Sequence, residues 1–306
     1  MAINYDISYI NSEMSADPTG FIAMCERTFR QSVETVAAAA YRERRRIVML
    51  AGPSSSGKTT TAALFDAYYR RQGGRAYVVS LDDFYYDNGT GPKNPDGSDD
   101  YESVWALDVP HLTACMRQLA AQGRASLPLF DFTTGKRRAE TRDIALEQND
   151  MLIVEGLHAL NPVITDALPP EALCLVYISV SSRIADEKGI YLNKRDLRFV
   201  RRMIRDAQFR ASPPENTFRL WRHVLTGEDA YLFPFEDRAQ YRIDSLHPYE
   251  PCALAQAGIR LLQTVPHDSV YAKNAALLAQ KLAGFVTVNT KDVPQDSLLR
   301  EFLGNL

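Results

Sequence analysis

The residues Gly52-Pro53-Ser54-Ser55-Ser56-Gly57-Lys58-Thr59 satisfy every fixed position of the pattern G-x-x-x-x-G-K-[ST]. Their setting makes the match restrictive. The octapeptide follows a short apolar, β-branched run, residues 47–51, and opens a stretch of helical character, residues 59–72, that stops at Gly73-Gly74, a glycine C-cap. A strand that curls through glycines into a helix leaves successive backbone N–H groups pointing inward, and the helix N-terminus adds positive potential. Such a loop is a cradle for phosphate oxygens. Gly52, Ser54, Ser55, Ser56, Gly57, Lys58, Thr59 and Thr60 are accordingly assigned to the phosphates of a nucleoside triphosphate. Lys58 would bridge the β- and γ-phosphates, and the Thr59 hydroxyl would ligate Mg2+.

The rest of the chain fits around that unit. Residues 76–81, 151–154 and 173–180 read as further buried strands, and helical segments alternate with them. This alternation predicts an α/β fold of three layers, a central parallel sheet with helices on both faces, of the P-loop NTPase type. Before the first strand, Ile22, Phe29, Val33 and Val36 recur at helical spacing over residues 21–41, and Arg42, Arg44, Arg45 and Arg46 form a solvated helix end. About 70 residues separate the second and third strands, too many for a plain crossover, so an insertion that builds part of a site is expected there. Two helical stretches, 253–262 and 269–282, precede a proline-marked tail. The expected division is an N-terminal helical extension, 1–45; a P-loop core, 46–248, with an insertion, 82–150, and an arginine-rich lid, 190–232; and a C-terminal helical segment, 249–306, packed on the core.

Composition excludes several classes. With 306 residues, 45% hydrophobic, the chain has ample length for a core. A pI near 6.0 gives no bulk attraction to nucleic acid or anionic membrane. No stretch approaches the roughly 20 apolar residues needed to span a bilayer, and residues 1–10 lack the pattern of a secretory signal. A cytoplasmic protein without membrane or nucleic-acid partners is expected, with homo-oligomerisation left open. Cys25, Cys115, Cys174 and Cys252 lie at no metal-binding or redox spacing and read as free buried thiols.

The formal charge of −3 conceals two opposed segments. Residues 82–108 hold eight acids and one base, a local −7, whereas residues 194–222 hold nine bases and three acids, a local +6. Phosphoryl transfer needs a metal, a group that orients or deprotonates the acceptor, and cations for the equatorial oxygens. Asp82 and Glu155 each close an apolar strand, at the sheet edge where open α/β sites form. Arg198, Arg201, Arg202 and Arg205 fall at i, i+3, i+4 and i+7 on one helical face, opposite Leu197, Val200 and Ile204. That face is expected to close over a γ-phosphate. Asn193-Lys194-Arg195-Asp196 also fits the guanine-reading N-K-x-D pattern, but the D-x-x-G at residues 186–189 lies only four residues before it, so the match is read as accidental. His158 is read as structural, and Trp105 and Trp221 as packing residues.

Taken together, these motifs resemble the uridine kinase and phosphoribulokinase family of P-loop kinases, closest to its bacterial uridine-kinase-like branch. The resemblance runs over residues 46–249, through LPLFDFTTGKR at 127–137, VEGLHALN at 154–161 and RRMIRDAQFR at 201–210; DSLLREFLG at 296–304 also matches that branch. It implies ATP- and Mg2+-dependent phosphorylation of a nucleoside 5′-hydroxyl, with Asp82 as the base. Thr59, Glu155 and Asp82 would organise the metal, and Lys58, Arg205 and Arg210 would hold ATP phosphates. Asp82, Tyr85, Tyr101, Glu102, Phe130, Phe132, Arg137 and Arg202 would surround the acceptor, Glu102 replacing an aspartate that binds ribose hydroxyls. Pyrimidine-reading members have tyrosine at Phe130, histidine at Gly135 and arginine at Ser212. These departures predict weakened discrimination for uridine. They leave open another small hydroxyl metabolite, a sugar phosphate or a pantothenate-like compound, and, in another class, a nucleotide-binding regulator without transferase activity.

Overall fold

A computed structural model describes residues 3–94 and 97–304; Asp96, counted in the acidic run, lies outside them. The chain begins with β1 (Asn4–Asp6), α1 (Ile7–Ala16), α2 (Pro18–Arg42), β2 (Ile47–Ala51), α3 (Lys58–Arg71) and β3 (Ala76–Ser80). An insertion follows, with α4 (Val109–Gln122), β4 (Arg124–Leu127), β5 (Phe130–Asp131), β6 (Lys136–Arg137) and β7 (Arg142–Ala145). Then come β8 (Met151–Gly156), α5 (Pro162–Thr165), β9 (Leu173–Ser179), β10 (Arg183–Asp186), β11 (Gly189–Leu192), α6 (Lys194–Arg210) and α7 (Pro214–Tyr231). The chain closes with β12 (Tyr241–Asp244), α8 (Glu250–Leu262), α9 (Ala272–Leu282) and α10 (Arg300–Leu303).

The apolar runs form one parallel sheet in the order β12-β9-β2-β8-β3, with β2 in the middle. Successive side chains of a strand face opposite ways, and β2 shows the consequence. Val48 and Leu50 enter an apolar layer shared with α2, α3, α6 and α8, while Ile47, Met49 and Ala51 enter a second layer with α4 and Leu160 to Ile164. A strand buried on both faces needs helices on both, which is the expected three-layer arrangement. All four cysteines are buried and unpaired. Among the described residues, no helix is long and apolar enough to cross a membrane.

Some local features went beyond the sequence reading. Helix α2 starts before residue 21 because the Asp17 carboxylate caps it at Gly20 N and Pro18 occupies its first turn. β1 pairs in parallel with β10, and β10 with β11, in a small separate sheet. Residues 186–189 are the turn of the β10–β11 hairpin. Asn193 and Asp196 form a reciprocal capping box on α6, which gives the N-K-x-D match a structural explanation. Trp221 packs edge-on against Phe199, but Trp105, expected to pack, is 59% exposed.

Candidate active site

The end of β2 delivers the Gly52–Thr59 loop to the C-terminal edge of the sheet, and α3 rises from it at Lys58. Gly57 stands at φ +89°, a left-handed conformation that strains any residue with a Cβ. Two arginines of α6 brace the loop from behind. Arg198 Nε donates to Ser54 O at 2.9 Å, and Arg201 Nη1 donates to Ser55 O at 3.1 Å. Both guanidiniums are buried and ion-paired, Arg198 with Glu228 and Arg201 with Glu250. Glu228 also accepts from Ser54 N at 3.0 Å. The single arginine face expected from the sequence is therefore divided. Arg198 and Arg201 are committed to holding the loop's shape, and only Arg202 and Arg205 of the four face the pocket.

That pocket, about 240 Å³, lies between Lys58, Asp82, Glu155, Arg202, Arg205 and Arg210. Gly52, Ser54, Ser55, Tyr85 and Glu102 complete the assigned residues on its wall. One acid organises the cations: the Asp206 carboxylate lies 3.3 Å from Arg202, 3.1 Å from Arg205 and 3.3 Å from Arg210. Arg202 Nη1 also donates to Ser54 Oγ at 2.8 Å. Lys58 Nζ donates to Gly52 O at 3.0 Å, within the loop itself.

The acids opposite are differently placed. Asp82 sits in a 3-10 turn after β3, and Glu155 one position before the end of β8, paired in register with Ser80. Neither carboxylate accepts a hydrogen bond among the described residues. Burial, and then the neighbouring charge of Glu155, pushes Asp82 up to about 6. Burial also pushes Glu102 up to about 7, against the lowering effect of Arg202. Tyr85 is raised well above the ordinary phenol range by burial and by Asp82, so it stays a hydrogen-bond donor; its hydroxyl donates to Tyr101 O at 2.8 Å.

Two unpaired carboxylates beside a phosphate cradle fit a hard dication. No group of three or more His, Cys, Asp or Glu side chains is gathered for metal binding among the described residues. Mg2+ takes one or two carboxylates and fills its remaining positions with water and phosphate, a demand that Asp82 and Glu155 fit. Thr59 is exposed at the start of α3 and does not line the pocket.

Other assigned residues lie around the site rather than on its wall. Ser56 and Gly57 are buried in the loop, and Ser56 Oγ has no hydrogen-bond partner among the described residues. Phe130 packs behind Tyr85, ring centroids 5.8 Å apart, and Phe132 beyond it is exposed. Arg137 donates to Tyr85 O, Phe84 O and Asp108, so it braces the acidic turn. Tyr101, Glu102 and Arg202 border a larger cavity of about 700 Å³ that opens beside the pocket along α7. Thr60 is engaged by Glu301: its N–H donates at 2.6 Å, and its hydroxyl donates to the same oxygen. His158 is buried against Tyr231, ring centroids 5.8 Å apart, and burial lowers it to about 4, so it is neutral; it does not line the pocket.

The sequence reading missed Glu228 and Asp206, single acids within amphipathic helices that carry no pattern of their own. Glu301 lies in the 296–304 segment, which did stand out.

Comparison with known proteins agrees with the geometry. The sequence pattern of the phosphoribulokinase / uridine kinase family matches residues 47–249, more than half of the chain. A uridine kinase of Lactobacillus helveticus is 31% identical over 137 residues, covering 44% of this chain and 56% of the relative. A uridine kinase of Staphylococcus haemolyticus is 27% identical over 126 residues, covering 41% and 52%. The chain thus spans little more than half the length of these curated relatives. Among solved structures, a possible uridine kinase from Bacillus stearothermophilus superposes with a TM-score of 0.44 at 24% identity, covering 65% of this chain and 89% of that one.

Proposed function

The chain belongs to the phosphoribulokinase / uridine kinase family, and from that premise we propose that it transfers the γ-phosphoryl group of ATP to a hydroxyl of a small acceptor, a nucleoside 5′-hydroxyl first. The observation that carries this reading is the Asp82 carboxylate, unpaired and facing the same pocket as Lys58 and three arginines.

In the proposed reaction the acceptor oxygen attacks the γ-phosphorus in line. Asp82 takes the hydroxyl proton as the new P–O bond forms, and the bond to the β-phosphate oxygen breaks to release ADP. Burial raises the Asp82 carboxyl above the ordinary carboxylate range, which makes it the stronger proton acceptor. Lys58, Arg205 and Arg210 neutralise charge on the phosphoryl oxygens, and Asp206 fixes the spread of the guanidiniums. Arg202 and Glu102 meet the acceptor at the mouth of the larger cavity. Near its midpoint at neutral pH, Glu102 can donate or accept a hydrogen bond to a sugar hydroxyl. Asp82 and Glu155 would hold Mg2+, and the metal would supply charge neutralisation at the phosphates.

A second acceptor class has its own support. The cavity of about 700 Å³ is lined on α7 by Arg219 and His223, one helical turn apart, besides Arg202. Arg219 has no carboxylate partner among the described residues; its Nη2 donates to Asn216 Oδ1. An arginine without a carboxylate partner among the described residues, in a cavity beside the Asp82 pocket, suits an acceptor that carries an anionic group away from its reacting hydroxyl, such as a sugar phosphate. Radiolabelled ATP offered with nucleosides in one panel and with phosphorylated or carboxylated alcohols in another separates the two. Label in a nucleoside supports the first, and label only in anionic acceptors, lost in Arg219→Ala, supports the second. ATP bound but intact in every mixture would remove both and leave a regulator.

A further inference from the structure

The residues that hold the tail against the phosphate loop point to a function for the 296–304 segment. We propose that the Glu301 carboxylate is a built-in competitor of ATP, which occupies phosphate-binding donors of the loop and must be displaced before the nucleotide binds fully. The proposal rests on the nucleotide site of the preceding reading.

Thr60 lies in the first turn of α3, where backbone N–H groups have no intrahelical acceptor and the helix dipole favours an anion. Both of its donors, the N–H and the hydroxyl, end on one oxygen of Glu301. A carboxylate there makes the same type of contact as a phosphate oxygen: anionic, charge-assisted and aimed at a helix N-terminus. Two anions cannot share those donors.

The rest of the tail is anchored so that this carboxylate is delivered in place. Arg300 is buried and donates to Thr290 O at 3.0 Å, Pro294 O at 3.2 Å, Gly304 O at 3.2 Å and Val293 O. Phe302, fully buried, lies under the Arg201 guanidinium that braces Ser55 O. Leu298 closes against the loop itself: a Cβ on Gly57 would fall 2.2 Å from Leu298 Cδ1. Glu301, by contrast, is only half-buried. Its side chain can swing toward solvent while the backbone stays docked, so displacement needs a rotamer change and no unfolding of the tail. The contact would raise the ATP concentration at which the site fills without altering the catalytic groups.

ATP binding measured by calorimetry on the full chain, together with KM and kcat, tests this. Removing a charge-assisted hydrogen-bond competitor is expected to tighten ATP about 10-fold or more in Glu301→Ala, with a smaller gain in Glu301→Gln, whose amide oxygen still accepts. KM for ATP should fall in the same order while kcat is little changed. Arg300→Ala, which loosens the anchor, should move Kd in the same direction, and serves if Glu301→Ala folds poorly. Equal or weaker ATP binding in the Glu301 variants overturns the competitor and leaves the nucleotide site intact. If no form binds ATP at all, the kinase reading falls and the competitor with it.

Discussion

Two sets of enclosed acids flank the phosphate loop, and they are treated in opposite ways. Behind the loop, each acid is ion-paired or hydrogen-bonded through at least one oxygen, although Glu228 Oε2 is buried without a hydrogen-bond partner among the described residues. Glu250 pairs with Arg201 and accepts from His247 N, and Glu228 pairs with Arg198 and accepts from Ser54 N. Deeper still, Glu26 accepts from Tyr249 OH at 2.5 Å and from Ser297 Oγ, with His247 Nε2 3.6 Å away. In front of the loop, Asp82 and Glu155 accept no hydrogen bond among the described residues, and Asp82 and Glu102 are pushed toward neutrality by burial. Satisfied acids fix the loop's shape, and unsatisfied ones leave it something to react with. Burying charge without partners costs stability, so its persistence on one side only marks that side as the working one.

The largest effect expected from breaking this contrast is on turnover. Asp82→Asn keeps the shape of the acid and removes its basicity, so kcat should fall by about 10²–10⁴-fold. The same change in metal-free protein should raise thermal stability at pH 7, because it removes an ionised group that the fold disfavours. Initial rates and a melting curve on one preparation test both. Loss of activity with lowered stability would make Asp82 a structural residue like those behind the loop.

Behind the loop the sign reverses. Arg201→Ala strands Glu250 in the interior and should cost about 3–5 kcal/mol, the usual penalty for half of a buried pair. Arg201→Met combined with Glu250→Leu should recover most of it, since neither charge remains. If the double variant is as stable as wild type yet binds ATP poorly, the pair's work is to shape the loop through Ser55 O. Denaturant midpoints and ATP titration separate the two contributions.

This division explains what the sequence could and could not reveal. The loop, the strands and the acids at their ends were legible because each rests on local pattern: a glycine spacing, an apolar run, a residue just past it. The arginines of α6 were legible as a face but not as two pairs with different duties. Arg198 and Arg201 are buried only because Glu228, 30 residues on, and Glu250, 49 residues on from Arg201, fold back to them. Pairings at such separations leave no local trace. The same holds for Thr60 and Glu301, 241 residues apart.

The pH dependence of stability sharpens the contrast at smaller amplitude. Asp82 stands above its ordinary value of 3.8, so its ionised form is destabilising in the fold; that penalty is present at pH 7 and relieved as pH falls through about 6 toward 3.8. For Glu26, burial alone would raise the carboxyl, but His247, Ser297 and Tyr249 bring it below its ordinary 4.5. Its contribution is present above 4.5 and lost as pH falls further. The stability gain of Asp82→Asn over wild type, about 1–3 kcal/mol after discounting the face open to the pocket, should therefore be largest at pH 7 and vanish below pH 4. The deficit of Glu26→Gln should instead persist at pH 7 and shrink only below pH 4.5. Chemical denaturation at several pH values distinguishes them, and parallel slopes would mean that both acids are held alike.

The smallest expected effects concern the proposed acceptor side, where the family resemblance implies tyrosine at Phe130 and histidine at Gly135 for reading a pyrimidine. Phe130→Tyr restores a hydroxyl on a ring already packed against Tyr85, and one added hydrogen bond is worth about 0.5–1.5 kcal/mol, so kcat/KM for uridine should rise by about 10-fold at most. Gly135→His should gain nothing alone. Gly135 stands at φ +66°, its carbonyl accepts from Asn88 N at 2.8 Å, and a Cβ there would lie 2.0 Å from Asn88 Nδ2. The side chain would meet both a left-handed backbone and an occupied space, with a loss of about 1–2 kcal/mol. Adding Asn88→Gly removes the collision but not the backbone strain, so stability should return only in part. If Phe130→Tyr combined with Gly135→His and Asn88→Gly phosphorylates uridine better than Phe130→Tyr alone does, the glycine is what keeps a pyrimidine from being read. If Gly135→His alone gains uridine activity at unchanged stability, the hairpin is freer than its contacts with Asn88 imply, and the acceptor pocket extends toward it.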